Sequence, residues 1–134
     1  MPAINEDLWP ELNLASAITP LSILREQAGL LRARTHGVLQ GVVQTWNAGG
    51  FIAHSFNVDV PALGGYQYTL FNVRHTPAGY PVYVDMRPGQ STDMTPSRAK
   101  EIADEGEFRN WLRETLHSDE VKRIIENLYA QAST

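Results

Sequence analysis

The residues of this chain best suited to move a proton or hold a metal are its four histidines, His36, His54, His75 and His117. Metal sites built on histidine want ligands at close spacing, such as i and i+4 on one helix face, and no two of the four stand that way. His54 falls on the apolar parity of a strand-like run and reads as a buried, hydrogen-bonded imidazole. His75 closes a second such run beside a turn. Were the two to face one way on neighbouring strands, Asp59 or Asp85 would have to complete a site. No metal and no cofactor is expected on this reading.

Other chemistries are weaker still. Nucleophilic catalysis needs a serine with a histidine and a carboxylate in reach, but Ser118 and Ser22 read as helix-start residues and no Gly-x-Ser-x-Gly elbow occurs. Gly49-Gly50 and Gly64-Gly65 join strands rather than opening a helix, so neither cradles a phosphate. Asp59 and Asp85 read as solvated strand residues rather than an acid/base pair. The best remaining place for a small ligand or a reaction is the polar loop 87–94. It offers His75, Asp85, Arg87 and Asp93, because titratable groups beside a mobile loop are where sites tend to form.

Whatever chemistry exists must be carried by one domain. The chain has 134 residues, 43% of them hydrophobic and 19% charged, a composition that folds rather than stays disordered. Cysteine is absent, which removes disulfides, thiol redox chemistry and thiolate metal sites. The formal net charge of −4 and the scattered arginines argue against nucleic acid, whose binders carry a basic footprint. The first residues are acidic rather than basic-then-apolar, and no run approaches a membrane span. The expected setting is cytoplasmic, with no membrane partner.

Residues 1–18 mix acids with Leu8, Trp9, Leu12 and Leu14, and Pro10 interrupts them. This irregular arm is expected to pack back on the domain edge; the alternative is that it docks on a partner subunit. Thr19-Pro20 is a helix start, and Leu21, Leu24, Ala28 and Leu31 recur at helical spacing over residues 19–35. Four strand-like runs fill residues 38–86. They are joined by short turns such as Asn47-Ala48-Gly49-Gly50 and Thr76-Pro77-Ala78-Gly79, which favours an antiparallel meander. The third run places Phe71 and Val73 on one parity and Tyr66, Tyr68 and Leu70 on the other. Residues 95–131 are expected to be helical: a short piece from Thr95-Pro96 to about Asp104, a stretch around Phe108, Trp111 and Leu112, and a helix capped by Ser118. The architecture predicted is α+β: one helix, a four-stranded antiparallel sheet, then two to three helices on a single sheet face, a two-layer sandwich.

Several segments resemble a group of small uncharacterised bacterial proteins. They are Leu24-Arg25-Glu26-Gln27-Ala28, Pro61-Ala62-Leu63, the run from Tyr66 through Tyr68, Leu70, Phe71 and Val73 to His75, and Tyr80-Pro81-Val82. The resemblance covers about residues 19–86 and implies the same α+β fold and a bacterial cytoplasmic setting. It carries over no functional residue.

The leading functional expectation is a non-enzymatic interaction module, a homodimer or an adaptor for another protein. Its surface would be the sheet face bearing Tyr66, Tyr68, Tyr83 and Arg74. A ligand or enzymatic site at the 87–94 loop is the alternative, and stacking of single-stranded nucleic acid on the tyrosines a third.

Overall fold

The computed structural model describes residues 6–14, 17–85 and 99–134. Helix α1 (Pro20–Arg34) opens with a reciprocal cap: the Ser22 amide donates to the Thr19 hydroxyl at 3.0 Å and the Thr19 amide donates to Ser22 Oγ at 2.9 Å. Proline at the first helical position needs no amide partner there, and such caps contribute about 1 kcal/mol. Past its end, Thr35 ties the helix to the sheet. Its hydroxyl donates to the Leu31 carbonyl at 3.0 Å and accepts from the Leu39 amide at 3.1 Å.

A five-stranded antiparallel sheet follows in sequence order: β1 (Gln40–Ala48), β2 (Phe51–Val60), β3 (Tyr66–His75), β4 (Val82–Asp85) and β5 (Lys100–Ile102). A 3-10 turn at Pro61–Leu63 separates β2 from β3. Helices α2 (Glu105–Leu116) and α3 (Asp119–Ala132) complete the described chain, capped by Asp104 and Ser118. The expected helical piece ending near Asp104 is corrected here, because Lys100–Ile102 pairs with Val82, Tyr83 and Val84 as a fifth strand. Residues 95–98 lie outside the described residues.

Directly opposed residues of an antiparallel pair share a face, so the pairing divides the sheet. One face carries Leu39, Phe56, Val58, Phe71, Val73, Val82, Val84 and Ile102, which join Ile23 and Leu24 of α1, Phe108 and Trp111 of α2, and Val121 and Leu128 of α3 in one buried cluster. Phe71 is the hub, stacked on Phe56 at 5.4 Å and meeting the edge of Trp111 at 5.0 Å. Helix α1 lies hardest on β1, where Gly41 faces Ala28 with no room for a side chain. The architecture is the two-layer α+β arrangement, with one strand more than expected.

A bulge in β3 redistributes its side chains. Phe56 pairs with Phe71 but Asn57 with Thr69, so Leu70 is an extra residue. Such an insertion reverses side-chain parity on one strand while its partner keeps step. Tyr68 therefore stands opposite Val58 and Tyr66 opposite Val60, on the helix-bearing side, together with Phe71 and Val73. The parity reading that set Tyr66 and Tyr68 apart from Phe71 and Val73 is overturned by this one inserted residue.

Candidate functional site

Of the anticipated ligand-binding group, only His75 and Asp85 fall among the described residues. Asp85 pairs with Asn72 and His75 with Val82, so the two side chains leave the sheet from opposite faces. Arg87 and Asp93 lie outside the described residues. The anticipated interface group also divides. Tyr83 pairs directly with Arg74 on the face away from the helices, whereas Tyr66 and Tyr68 belong to the helix side.

The face away from the helices has an order of its own. Trp46, Ala53, Arg74, Tyr83 and Glu101 form a single row across all five strands. The Arg74 guanidinium lies 4.6 Å from the Phe51 ring centre and 5.5 Å from that of Tyr83. Stacking of this kind is worth about 0.5–2 kcal/mol and fixes a cation without a carboxylate. The Tyr83 hydroxyl donates to Glu101 Oε1 at 3.2 Å, a bond to the neutral phenol that raises its pKa. In the next two rows along the strands, Asn57 Nδ2 donates to Ser55 Oγ at 2.8 Å, and the Thr69 hydroxyl donates to Asn57 Oδ1. Ser55 and Asp85 share this face, but His54 and His75 occupy the other. A serine–histidine–carboxylate relay is therefore not formed among these residues.

His54 and His75 do come together, as neighbours of β2 and β3 on the helix side. Their Nε2 atoms are 2.8 Å apart and both rings are buried. Each outer nitrogen has a partner: His54 Nδ1 meets the Thr45 hydroxyl at 2.8 Å and His75 Nδ1 meets the Thr76 carbonyl at 2.8 Å. A carbonyl only accepts, so His75 Nδ1 carries a proton. With both rings neutral, His75 Nε2 must then accept from His54 Nε2–H, and the Thr45 hydroxyl donates to His54 Nδ1. All four ring nitrogens of the pair are satisfied in that one arrangement. Two imidazoles on a tetrahedral zinc, by contrast, hold their nitrogens roughly 3.3 Å apart, given metal–nitrogen bonds of about 2.0–2.1 Å. No cluster of three or more candidate metal ligands occurs among the described residues. Burial, the neighbouring His75 and the charge of Arg25 hold the His54 pKa down at about 4. The pair is a structural hydrogen-bonded unit, and Asp59 and Asp85 take no part in it, because both pair on the far face.

A groove of about 580 Å³ opens on the helix side between α1, the β3 bulge and α3. Leu30, Leu31, Phe56, Leu70 and Ile125 line it, with Arg34, Lys122, Asp119 and Glu126 also along it. Leu70, the inserted residue of the bulge, is thus one of its apolar walls. A smaller hollow of about 220 Å³ between α1 and α2 shares Gln27, Leu116 and His117 with the groove and extends it toward Arg113. Among the described residues Arg34, Arg113 and Lys122 have no carboxylate at ion-pair distance, whereas Arg109 is held by Glu105 at 3.0 Å.

The arm before α1 is the second exposed apolar feature. Residues 6–14 have no regular secondary structure, and Leu8, Trp9, Leu12 and Leu14 are 83%, 77%, 55% and 86% exposed. Ile18 is 54% exposed. The expectation that Trp9 and its leucines pack back on the domain is corrected by those values. The arm is legible in the sequence and the groove is not, since the groove depends on the bulge and on how α3 packs.

No family model, curated protein or solved structure matches this chain. No helix among the described residues is long and apolar enough to cross a membrane.

Proposed function

We propose that this chain is a non-enzymatic interaction module that associates with a second copy of itself. The observation that carries the reading is the stretch Leu8, Trp9, Leu12, Leu14 and Ile18, five large apolar side chains each more than half exposed on one short segment. Isolated exposed leucines are commonplace, but a contiguous apolar segment marks a surface that another molecule covers. Burying a side chain of this size gains about 1.5–3 kcal/mol. Ordering the backbone that carries it costs about 1–2 kcal/mol per residue. One such segment docked alone is therefore close to neutral, and a closed pair, in which the second contact forms within an existing complex, is the arrangement that stabilises.

The surface that supports the reading is no longer a tyrosine-bearing sheet face. Tyr66 and Tyr68 lie across the sheet from Tyr83 and Arg74, and the same division removes the aromatic platform that stacking of nucleic-acid bases requires. Sedimentation velocity of the intact chain between about 1 and about 100 µM, the range in which a contact of this size exchanges, tests the proposal. A weight-average mass that rises toward twice 15.0 kDa is expected. A mass fixed at 15.0 kDa throughout would refute it.

A further inference from the structure

We infer that the two copies exchange arms: residues 6–14 of each lie in the groove between α1 and α3 of the other. This rests on the self-association just proposed and names its contact. Four features point to this occupant. The arm exposes Leu8, Trp9 and Leu12 and makes no contact that covers them, while the groove presents the exposed Leu30 and the half-buried Leu31 and Ile125. The groove volume of about 580 Å³ falls in the range of about 300–1,000 Å³ that encloses a compact ligand, ample for a few large side chains. The free cations suit an acidic arm: the arm carries Glu6, Asp7 and Glu11 with no basic residue, and the groove has Arg34 and Lys122, with Arg113 in the adjoining hollow, unpaired by any described carboxylate. Asp119 and Glu126 sit among these cations and select for register rather than bulk charge.

Reach is the fourth. Nine residues extend to roughly 30 Å, about twice the radius of gyration of roughly 14 Å expected for a domain of this length. An arm that long crosses to a neighbour whose own arm returns along the same twofold axis. Each copy gives and receives once, so the contact closes on itself.

The test uses full-length chains changed only at exposed positions. One variant carries Trp9→Ser and Leu12→Ser in the arm; the other carries Leu30→Glu and Lys122→Glu in the groove. All four positions are exposed, so folding is preserved and circular dichroism verifies it. Each variant alone is expected to self-associate at least about tenfold more weakly than the unchanged chain. Mixed together they are expected to associate more than either does alone and less than the unchanged chain, since one of the two arm–groove contacts is then intact. Three results would overturn the exchange: an arm variant that associates as the unchanged chain does, a groove variant that does so, or a mixture no more associated than its parts. In each of these the parent still dimerises and the self-association reading stands. A parent that stays monomeric removes both.

Discussion

Gly41→Val is expected to destabilise the protein by about 4 kcal/mol, the largest effect of any single substitution considered. A β-carbon at this position would lie 2.5 Å from the Ala28 α-carbon and 2.9 Å from the Ala28 carbonyl oxygen. Those are backbone atoms of α1, so no side-chain rotation relieves the overlap. The helix must lift off β1, and Ile23 and Leu24, both essentially inaccessible to solvent, lose packing with it. Urea denaturation measures the loss. Adding Ala28→Gly removes only the β-carbon contact at 2.7 Å and leaves the α-carbon in place, so it is expected to restore about 1 kcal/mol at most. A Gly41→Val protein within about 1 kcal/mol of the parent would mean that α1 is not seated on β1 as described.

Acidification produces the second large effect. His54 has a folded-state pKa of about 4, against an ordinary value of 6.5. As pH falls below 6.5 the unfolded chain takes up a proton that the folded chain refuses until about pH 4. His54 therefore adds no penalty above pH 6.5 and erodes stability progressively through that window, by about 3 kcal/mol in total. Burial of the ring is the chief cause, and the charges of His75 and Arg25 add to it. The added proton would go on His54 Nδ1, where the Thr45 hydroxyl can turn to accept from it, so the cost lies in burying the charge and not in a broken hydrogen bond. Urea midpoints measured at pH 7 and pH 4.5 should separate strongly for the parent and much less for His54→Gln. Equal separations in the two proteins would contradict the assignment.

Much of this architecture was legible in residue order because its signals are local. Thr19-Pro20 and Ser118 cap helices through their own side chains, and β2 alternates over ten residues, so both read directly. What escaped depends on distant partners. Strand β5 has a single buried residue, Ile102, too little for a period of two to register, and it becomes a strand only by pairing with β4. The bulge at Leu70 leaves no composition signal, yet it turned Tyr66 and Tyr68 to the helix side and broke up the expected tyrosine face. His75 and Asp85 read as companions because both are titratable groups close to the 87–94 loop. Their relation across β3 and β4 was a matter of register, which a sequence does not display. The meeting of His54 with His75 was foreseen as a condition on register, and that condition is met without the carboxylates that would have made it a metal site. The arm was visible as leucines and a tryptophan among acids; its exposure was not, because exposure belongs to the folded surface.

The absence of cysteine makes the decisive measurement clean. Leu12→Cys is placed in one tagged copy and Leu30→Cys in a second, differently tagged copy, and the mixture is treated with a short bismaleimide. Arm exchange predicts a covalent product carrying both tags, formed in preference to either like-with-like product and suppressed by excess unlabelled chain. A mixture that yields only like-with-like products, while a single chain bearing both cysteines links internally at high dilution, would place the arm on its own groove and contradict the account.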